Sequence, residues 1–305
     1  MRVIHEIGEC VSVEIDGVER LRYRYPVAGR ADRSLPRPFF SPIRTPDGIE
    51  ITAHSPVDHF WHRGLWFTYK YVNRVNYWEE NQEIVGRQVV PESAMLTTDI
   101  DPGRSRVRWA HPLSWIDARD GQTIERLRED REITVESLSD GALVLTLRSA
   151  VTPAEETTLD RTPFSTWGGY GGLYVRMTQA LQKQRLVLAG ETPTESPRFE
   201  AAAVGSRHRW AGIEGRLDTD ADIGERWAAF VFLPSTRNRR YPEPFYGDAR
   251  PFYNFFGPAP LFAEPIVLTA GETFVYEVRT LILPRRIDIE EVERHFETWN
   301  GTQTP

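Results

Sequence analysis

The chain has 305 residues, 40% of them hydrophobic and 11% aromatic, which is enough to bury a large core. Its 37 Lys and Arg against 44 Asp and Glu leave a formal charge of -7, whereas a nucleic-acid-binding protein normally carries a basic patch. The single cysteine, Cys10, rules out an intrachain disulfide and a cysteine-based zinc site.

The N-terminal segment MRVIHEIGEC has neither the positive region nor the apolar region of a signal peptide. No run reaches the roughly 18 consecutive apolar residues that a transmembrane helix needs. We therefore predict a cytoplasmic protein with no membrane or nucleic-acid partner.

Strand patterns dominate the chain in order. VSVEIDGVERLRYRY alternates apolar and polar residues on both sides of Asp16-Gly17, which is typical of a hairpin. The stretch from Gly121 to Thr152 repeats this pattern around Asp140-Gly141, and the later segments RWAAFVFLP and FVYEVRTLIL predict buried strands.

One segment near the C-terminus has a helical period. In IDIEEVERHFETW the apolar residues recur three and four positions apart, and the first turn is acidic, as the helix dipole favours. Because no Gly/Ser linker and no repeat divides the chain, residues 1–305 are predicted to form a single domain.

A proline-rich stretch interrupts the strand pattern. Residues 234–265 contain seven prolines among eight aromatic residues, so we expect irregular backbone rather than strand. Long irregular segments of compact domains are often binding lids, although a hydrophobic flap that plugs one end of a sandwich has the same composition.

The segment DHFWHRGLWF, residues 58–67, holds the strongest candidate site. His59 and His62 are three apart, so they converge only if the chain turns between them, and Pro56 and Asp58 favour such a turn. If a strand starts near His62, its even-numbered residues share one face with indole, hydroxyl and ammonium groups. Sugars need such a surface, with rings for C–H faces and a few polar groups for hydroxyls.

Several segments resemble the PmoA-like family, bacterial proteins named for a supposed methane oxygenase. The resemblance lies in RPFFSPIRTPDGIEIT, DHFWHRGLWF, VNRVNYWEE, RWAGIEGRLD and the C-terminal part from PSTRNRRYPEPFY onward, and it spans residues 37–300. The family's block reads Asp-His-Pro-His-His-Arg-Gly; this chain keeps both flanks, but Phe60 and Trp61 replace the proline and the middle histidine.

This resemblance implies an all-β fold, a large antiparallel β-sandwich of the galactose-mutarotase-like supersandwich type, with one short C-terminal helix. Proteins of that class commonly handle carbohydrates through His and carboxylate side chains on a concave sheet. Analogy at the level of the fold raises this expectation without defining a reaction.

We predict a carbohydrate-active enzyme that uses a histidine pair for acid–base chemistry on a sugar or glycoside, as an epimerase, lyase or hydrolase. His59 and His62 supply the acid and the base. Arg63 orients a substrate oxygen, and Glu79, or its neighbour Glu80, supplies a carboxylate. The predicted substrate-binding residues are Trp66, Lys70, Trp78, Tyr170, Arg176, His208 and Asn254.

The glycine-rich stretch RTPFSTWGGYGGLYVRM, which carries two of these residues, is predicted to form a bulged hairpin. It lacks the Lys-Ser/Thr ending of a phosphate-binding loop. The nearby SRHRWAG segment is predicted to bring His208 and Arg209 toward the cleft.

Three alternatives remain open: a non-catalytic carbohydrate-binding or sensing protein, a metal-dependent oxygenase as the family name suggests, and a structural subunit whose aromatic loop packs on a neighbour, as in a homo-oligomer. A copper or iron oxygenase needs a full set of His and carboxylate ligands. The seven histidines form no other tight motif, so we predict no metal and no other cofactor.

Overall fold

The computed structural model describes residues 1–29, 36–80, 85–94, 96–119, 122–163, 169–191, 194–195, 204–217, 224–248 and 253–301. In chain order the elements are β1 (Arg2–Glu6), β2 (Cys10–Ile15), β3 (Val18–Arg24), β4 (Phe39–Ile43), β5 (Leu65–Thr68), β6 (Tyr71–Val72), β7 (Val75–Asn76), β8 (Arg87–Val89), β9 (Thr97–Asp101), β10 (Arg106–Arg119), β11 (Gln122–Ser137), β12 (Leu143–Pro153), β13 (Thr157–Asp160), β14 (Gly172–Arg176), β15 (Leu181–Leu188), β16 (Thr194–Glu195), β17 (Arg207–His208), β18 (Ala211–Leu217), β19 (Arg226–Pro234), β20 (Glu243–Asp248), β21 (Phe255–Pro258), β22 (Ile266–Leu268), β23 (Phe274–Leu283) and α1 (Ile289–Gly301).

Within these residues the strands form two large sheets and one small one. The first sheet, called here the site sheet, has the order β1-β2-β3-β4-β5-β14-β21-β20-β17. The second has the order β16-β15-β18-β19-β23-β12-β11-β10-β8, with β9 also paired to β10, and the small sheet has the order β22-β13-β6-β7. Neighbouring strands run antiparallel. Several pairs, such as β12 with β23 and β5 with β14, join strands that are far apart in the chain.

The core lies between the two large sheets. Val13 and Tyr23 from the site sheet and Trp109 and Ile133 from the second sheet belong to one cluster of buried side chains. This arrangement is an antiparallel β-sandwich and confirms the predicted all-β class. The single-domain organisation stays a prediction.

Local patterns located the hairpins correctly. Asp16 and Gly17 have φ of 52° and 82°, the left-handed pair that a two-residue hairpin turn requires, and they join β2 to β3. The residues around Asp140-Gly141 likewise join β11 to β12.

The predicted helix is also confirmed. Asp288 caps α1, because its carboxylate accepts hydrogen bonds from the backbone N–H groups of Glu290 and Glu291 at 2.9 and 3.2 Å. Val292, Phe296 and Trp299 are buried against the second sheet.

The prediction that residues 234–265 are irregular was wrong for two segments, although residues 235–242 and 259–265 form no strand. Strands β20 and β21 lie in this stretch and pair with each other as part of the site sheet. The prolines are accommodated because Pro242 precedes β20, Pro244 is its second residue, and Pro258 ends β21. Residues 249–252 of the stretch lie outside the described ranges.

The glycine-rich stretch does not form the predicted hairpin with a neighbouring strand. Instead, β14 pairs with β5 on one side and β21 on the other. Gly172, with φ of 146°, allows this approach, because a Cβ at that position would lie 2.5 Å from the carbonyl oxygen of Pro258. Residues 164–168 are outside the described part of the chain.

Candidate functional site

A second apolar layer covers the outer face of the site sheet. On five neighbouring strands the residue that points away from the sandwich core is aromatic: Phe39, Trp66, Tyr174, Phe255 and Tyr246. Phe39 pairs with Trp66, and Trp66 pairs with Tyr174, across adjacent strands. Because side chains alternate along a strand, the opposite face remains available for the sandwich core.

Other rings complete this layer, which we call the outer aromatic cluster. Its buried members are Phe39, Trp66, Trp78, Tyr170, Tyr174, Phe255 and Ala259, and its half-buried rim consists of Trp61, Tyr246, Tyr253 and Phe262. The rings of Trp66 and Trp78 lie 5.3 Å apart, and those of Trp78 and Tyr170 lie 5.0 Å apart. The indole N–H of buried Trp66 has no hydrogen-bond partner among the described residues.

The two histidines meet at one end of this cluster. His62 N–H donates to the carbonyl of His59 at 2.9 Å, and His59 N–H donates to that of Pro56 at 3.0 Å, so the chain turns between them. This turn sets the imidazole rings 4.8 Å apart and inclined by 23°. His59 retains 30% of its side-chain exposure, whereas His62 is buried.

His62 is part of a series of nearly parallel rings. The rings of His62 and Phe255 are 4.8 Å apart at 14°, and those of Phe255 and Tyr174 are 4.6 Å apart at 15°. This burial, reinforced by the nearby Arg176 guanidinium, holds the pKa of His62 well below its ordinary value of 6.5. His62 is therefore neutral at physiological pH.

Arg176 connects the two histidines through Asp58. Its guanidinium is fully buried and donates to His62 Nδ1 at 3.1 Å and to Asp58 Oδ2 at 2.6 Å. His59 Nδ1 lies 3.0 Å from the same carboxylate oxygen. Partial burial alone would raise the pKa of Asp58, but the hydrogen bonds from Arg176 and His59 outweigh it and lower that pKa.

A second polar group lies beside Trp78 and Tyr170. The Lys70 ammonium forms an ion pair with Glu79, whose carboxylate also accepts from Asn76 Nδ2 at 2.7 Å and from the Tyr170 hydroxyl at 3.3 Å. Burial lowers the pKa of Lys70 against the opposing effect of Glu79. Burial would raise the pKa of Glu79, but Lys70 and the hydrogen bonds reverse the direction, so Glu79 remains ionised at neutral pH.

Arg63 forms an ion pair beside the outer aromatic cluster, with its guanidinium carbon 6.0 Å from the centre of the Phe39 ring. Its guanidinium binds the Glu80 carboxylate with two nitrogens, and Nη1 approaches His54 Nε2 at 3.5 Å. Arg37, which the sequence analysis missed, is fully buried and donates to the carbonyls of Trp61 and Trp78 at 3.1 and 2.6 Å. Arg37 thus links the loop that carries Trp61, at the rim of the cluster, to the loop that carries Trp78, one of its buried members.

The side chains of two predicted binding residues make their hydrogen bonds outside the outer aromatic cluster. His208 is on β17, three strands from β14, with its Nε2 3.0 Å from Ser206 Oγ. Arg209, on the same segment, forms an ion pair with Glu293 of α1. Asn254 is fully buried at φ 43° and donates to the carbonyl of Thr178 at 3.0 Å.

The sequence also did not predict that Asp58 and Tyr253 contact Arg176 and His59. Tyr253 lies with its ring 4.4 Å from the Arg176 guanidinium carbon and its hydroxyl 3.4 Å from His59 Nε2. Arg176 and Asp58 are 118 residues apart, so only sheet pairing could have revealed that they touch. The one local signal was alternation in GLYVR, which places Tyr174 and Arg176 on one face.

No group of three or more His, Cys, Asp or Glu side chains suited to a metal ion occurs within the described residues. At the histidine pair, one nitrogen of each ring is already bonded to Arg176 or Asp58, and the guanidinium is a permanent positive charge. These donors do not fit a metal ion held between the two rings. Of the helices in the described ranges, none has the length and apolar character needed to cross a bilayer.

Residues 10–297 match the model of a family of unknown function, DUF6807. The chain therefore belongs to that family. A search of curated proteins found no match.

Among solved structures, the chain is similar to a GalM/aldose epimerase homologue from C. elegans, at 7% identity and a TM-score of 0.33 over 92% of this chain and 97% of that one. At that score the likeness supports no conclusion about function. The finer galactose-mutarotase-like topology and the resemblance to PmoA-like proteins stay predictions.

Proposed function

We propose that the outer aromatic cluster is the substrate site of a carbohydrate-active enzyme and that His59 is its base. The observation that carries this proposal is the placement of polar groups at both ends of one row of aromatic rings. His59 and Asp58 lie at one end, and Lys70 with Glu79 lies at the other, next to Tyr170.

The chemistry of sugars suits such a surface. Pyranose rings present apolar C–H faces, which stack on aromatic rings, and hydroxyl groups, which need a few fixed donors and acceptors. The half-buried rim rings Trp61, Tyr246 and Tyr253 supply the first element, and the two polar groups supply the second.

His59 is the better candidate for the base because it combines access with orientation. Its ring is partly exposed, and the Asp58 carboxylate fixes Nδ1. A base held by a carboxylate in this way keeps its other nitrogen directed at the substrate. Neutral, buried His62 is suited to donating a hydrogen bond rather than to titrating.

Calorimetric titration with a panel of mono- and disaccharides tests the proposal. We expect the wild-type protein to bind at least one member, and Trp61→Ala to lose that binding. Trp227→Ala, which removes a half-buried indole stacked on Arg286 and remote in sequence, is the matched control and should bind as wild type does.

A second variant separates catalysis from binding. His59→Gln should still bind the saccharide but turn it over more slowly, whereas His295→Gln, at a histidine of similar exposure on α1, should leave turnover unchanged. Binding with no turnover by the wild type would favour the non-catalytic binding protein. Absence of binding across the panel would overturn the proposal.

A further inference from the structure

The hydrogen bonds of Arg176 determine where the proton of His62 lies. A guanidinium has only N–H donors, so the His62 Nδ1 that it contacts at 3.1 Å must be an acceptor. A neutral imidazole carries one proton, which therefore lies on Nε2 of His62. His62 offers the site an N–H group.

The proton of His59 is fixed in the opposite way. An ionised carboxylate accepts only, so His59 Nδ1, 3.0 Å from Asp58 Oδ2, is the donor. The lone pair of neutral His59 is consequently on Nε2, and the Tyr253 hydroxyl, 3.4 Å from that atom, is placed to donate to it. His59 offers the site an acceptor.

We propose that this acceptor and this donor, on rings 4.8 Å apart, act on a sugar that bears a carbonyl group: His59 Nε2 removes the proton from the carbon next to the carbonyl, and His62 Nε2–H stabilises the resulting enolate oxygen. This inference rests on the proposed function and names its substrate class, a keto-sugar.

The electrons and protons of the step balance within the site. The C–H bond breaks, its proton moves to His59, its electron pair forms the C=C bond, and the carbonyl π electrons move to oxygen. Return of a proton from His59 to the same face of that carbon restores the ketone. A neutral imidazole N–H suits an enolate oxygen because it donates a hydrogen bond without giving up its proton.

Direct hydrolysis of a glycosidic bond fits these residues less well. That reaction uses two carboxyl groups, one of them protonated to act as the acid. Here Asp58 is ion-paired with Arg176, and Glu79 is ion-paired with Lys70, so both carboxylates are held ionised. Arg176 is fully buried and acts through His62 and Asp58, which makes it a positioning residue.

Proton exchange in D2O is the direct test. The probes are the 3-keto forms of methyl glucoside and methyl galactoside and the 4-keto form that the two sugars share, with the unoxidised methyl glycosides as controls, followed by proton NMR. We expect wild-type protein to exchange the proton next to the carbonyl of at least one keto-sugar, and His59→Gln to slow this exchange by about 100-fold. The unoxidised glycosides should show none.

The outcomes distinguish this inference from the proposed function. If saccharides bind at the cluster but no keto-sugar exchanges above the buffer rate, the keto-sugar assignment is wrong and the carbohydrate site stands. If nothing binds, both fail.

Nitrogen-15 NMR of the imidazoles gives a readout that needs no ligand. In the wild type we expect the Nε2–H tautomer for His62 and the Nδ1–H tautomer for His59. Arg176→Lys should retain the fold and the His59 tautomer while mixing the tautomers of His62. The Nδ1–H form of His62 in the wild type would overturn the role given to Arg176.

Discussion

Two layers of this molecule bury ion pairs, and they do so differently. Between the sheets, Arg131 donates to Glu129 at 2.8 and 2.9 Å, and the same carboxylate accepts from the Trp115 indole at 2.7 Å. Both charged side chains are at most 1% exposed. On the outer face, fully buried Arg176 binds Asp58, whose side chain is 37% exposed.

The comparison separates a structural network from a candidate functional one. The Arg131–Glu129 pair is enclosed on all sides by the sandwich core, and Gln88 accepts a further hydrogen bond from Arg131 at 3.0 Å. The Arg176–Asp58 pair instead connects the buried end of the outer cluster to the surface. An ion pair with one partly exposed member can contact a ligand, whereas an ion pair with both members buried cannot.

The largest effect is expected from breaking the enclosed pair. Arg131→Met leaves Glu129 buried without its cation and should lower the unfolding free energy by about 3–5 kcal/mol, measured by urea denaturation. Arg128→Met, on the same strand but with its side chain 83% exposed, is the control and should unfold as wild type does. Equal midpoints for the two variants would contradict the account of the core.

A buried carboxylate that forms no ion pair among the described residues sharpens the comparison. Glu243 is fully buried, accepts from Asn238 at 2.7 Å and Tyr276 at 3.1 Å, and has its pKa raised to about 7 by burial. Its proton is retained in the folded state after the unfolded chain has lost it, so stability falls as pH rises from 4.5 to about 7.

The expected loss over that window is roughly 3 kcal/mol, and Glu243→Gln should remove it. Denaturation at several pH values measures the difference between the two proteins. Glu264→Gln, at an exposed carboxylate, should follow the wild-type profile. A Glu243→Gln profile parallel to the wild type would mean that this group does not titrate as described.

On the outer face, the expected effect is on rate rather than stability. His59→Gln should reduce turnover of a bound sugar by about 100-fold. Asp58→Asn should reduce it as well, because the amide cannot hold Nδ1 of His59 as a carboxylate does. The thermal melt of His59→Gln should match the wild type, and a large drop in its melting temperature would instead assign His59 to structure. Asp58→Asn should also melt lower, because it leaves the fully buried Arg176 without its carboxylate partner.

The smallest effect is expected at Arg63. Two nitrogens of its guanidinium bind the two oxygens of the Glu80 carboxylate. A lysine ammonium cannot reproduce this two-point contact. We expect Arg63→Lys to lower the unfolding free energy by about 1 kcal/mol with saccharide affinity unchanged. A loss of affinity at unchanged stability would restore Arg63 to the site.

The sequence predicted what depends on local pattern. Asp16-Gly17 and the alternation around it specified a hairpin, and the spacing from Val292 to Trp299 specified α1. It also predicted that Trp66 and Lys70 share a face and that a turn brings His59 to His62. Each of these features is set by residues close together in the chain.

The sequence did not predict the features that depend on pairing between distant strands. Strands β20 and β21 form although prolines disfavour them, because β21 pairs with the edge of β14 and then pairs with β20 on its other side. The link from Arg176 to Asp58 joins positions 118 residues apart. No spacing rule reports such a contact, since it depends on which strands become neighbours in the sheet.

The tryptophan indole signals in a proton–nitrogen NMR spectrum test the central claim most directly. Trp61, Trp66 and Trp78 lie in or at the rim of the outer aromatic cluster, whereas Trp109 and Trp115 lie between the sheets. On addition of a saccharide that binds, the first three signals should shift and the other two should stay in place. Shifts confined to the inter-sheet tryptophans, or no shift at the outer three, would contradict the assignment of the site.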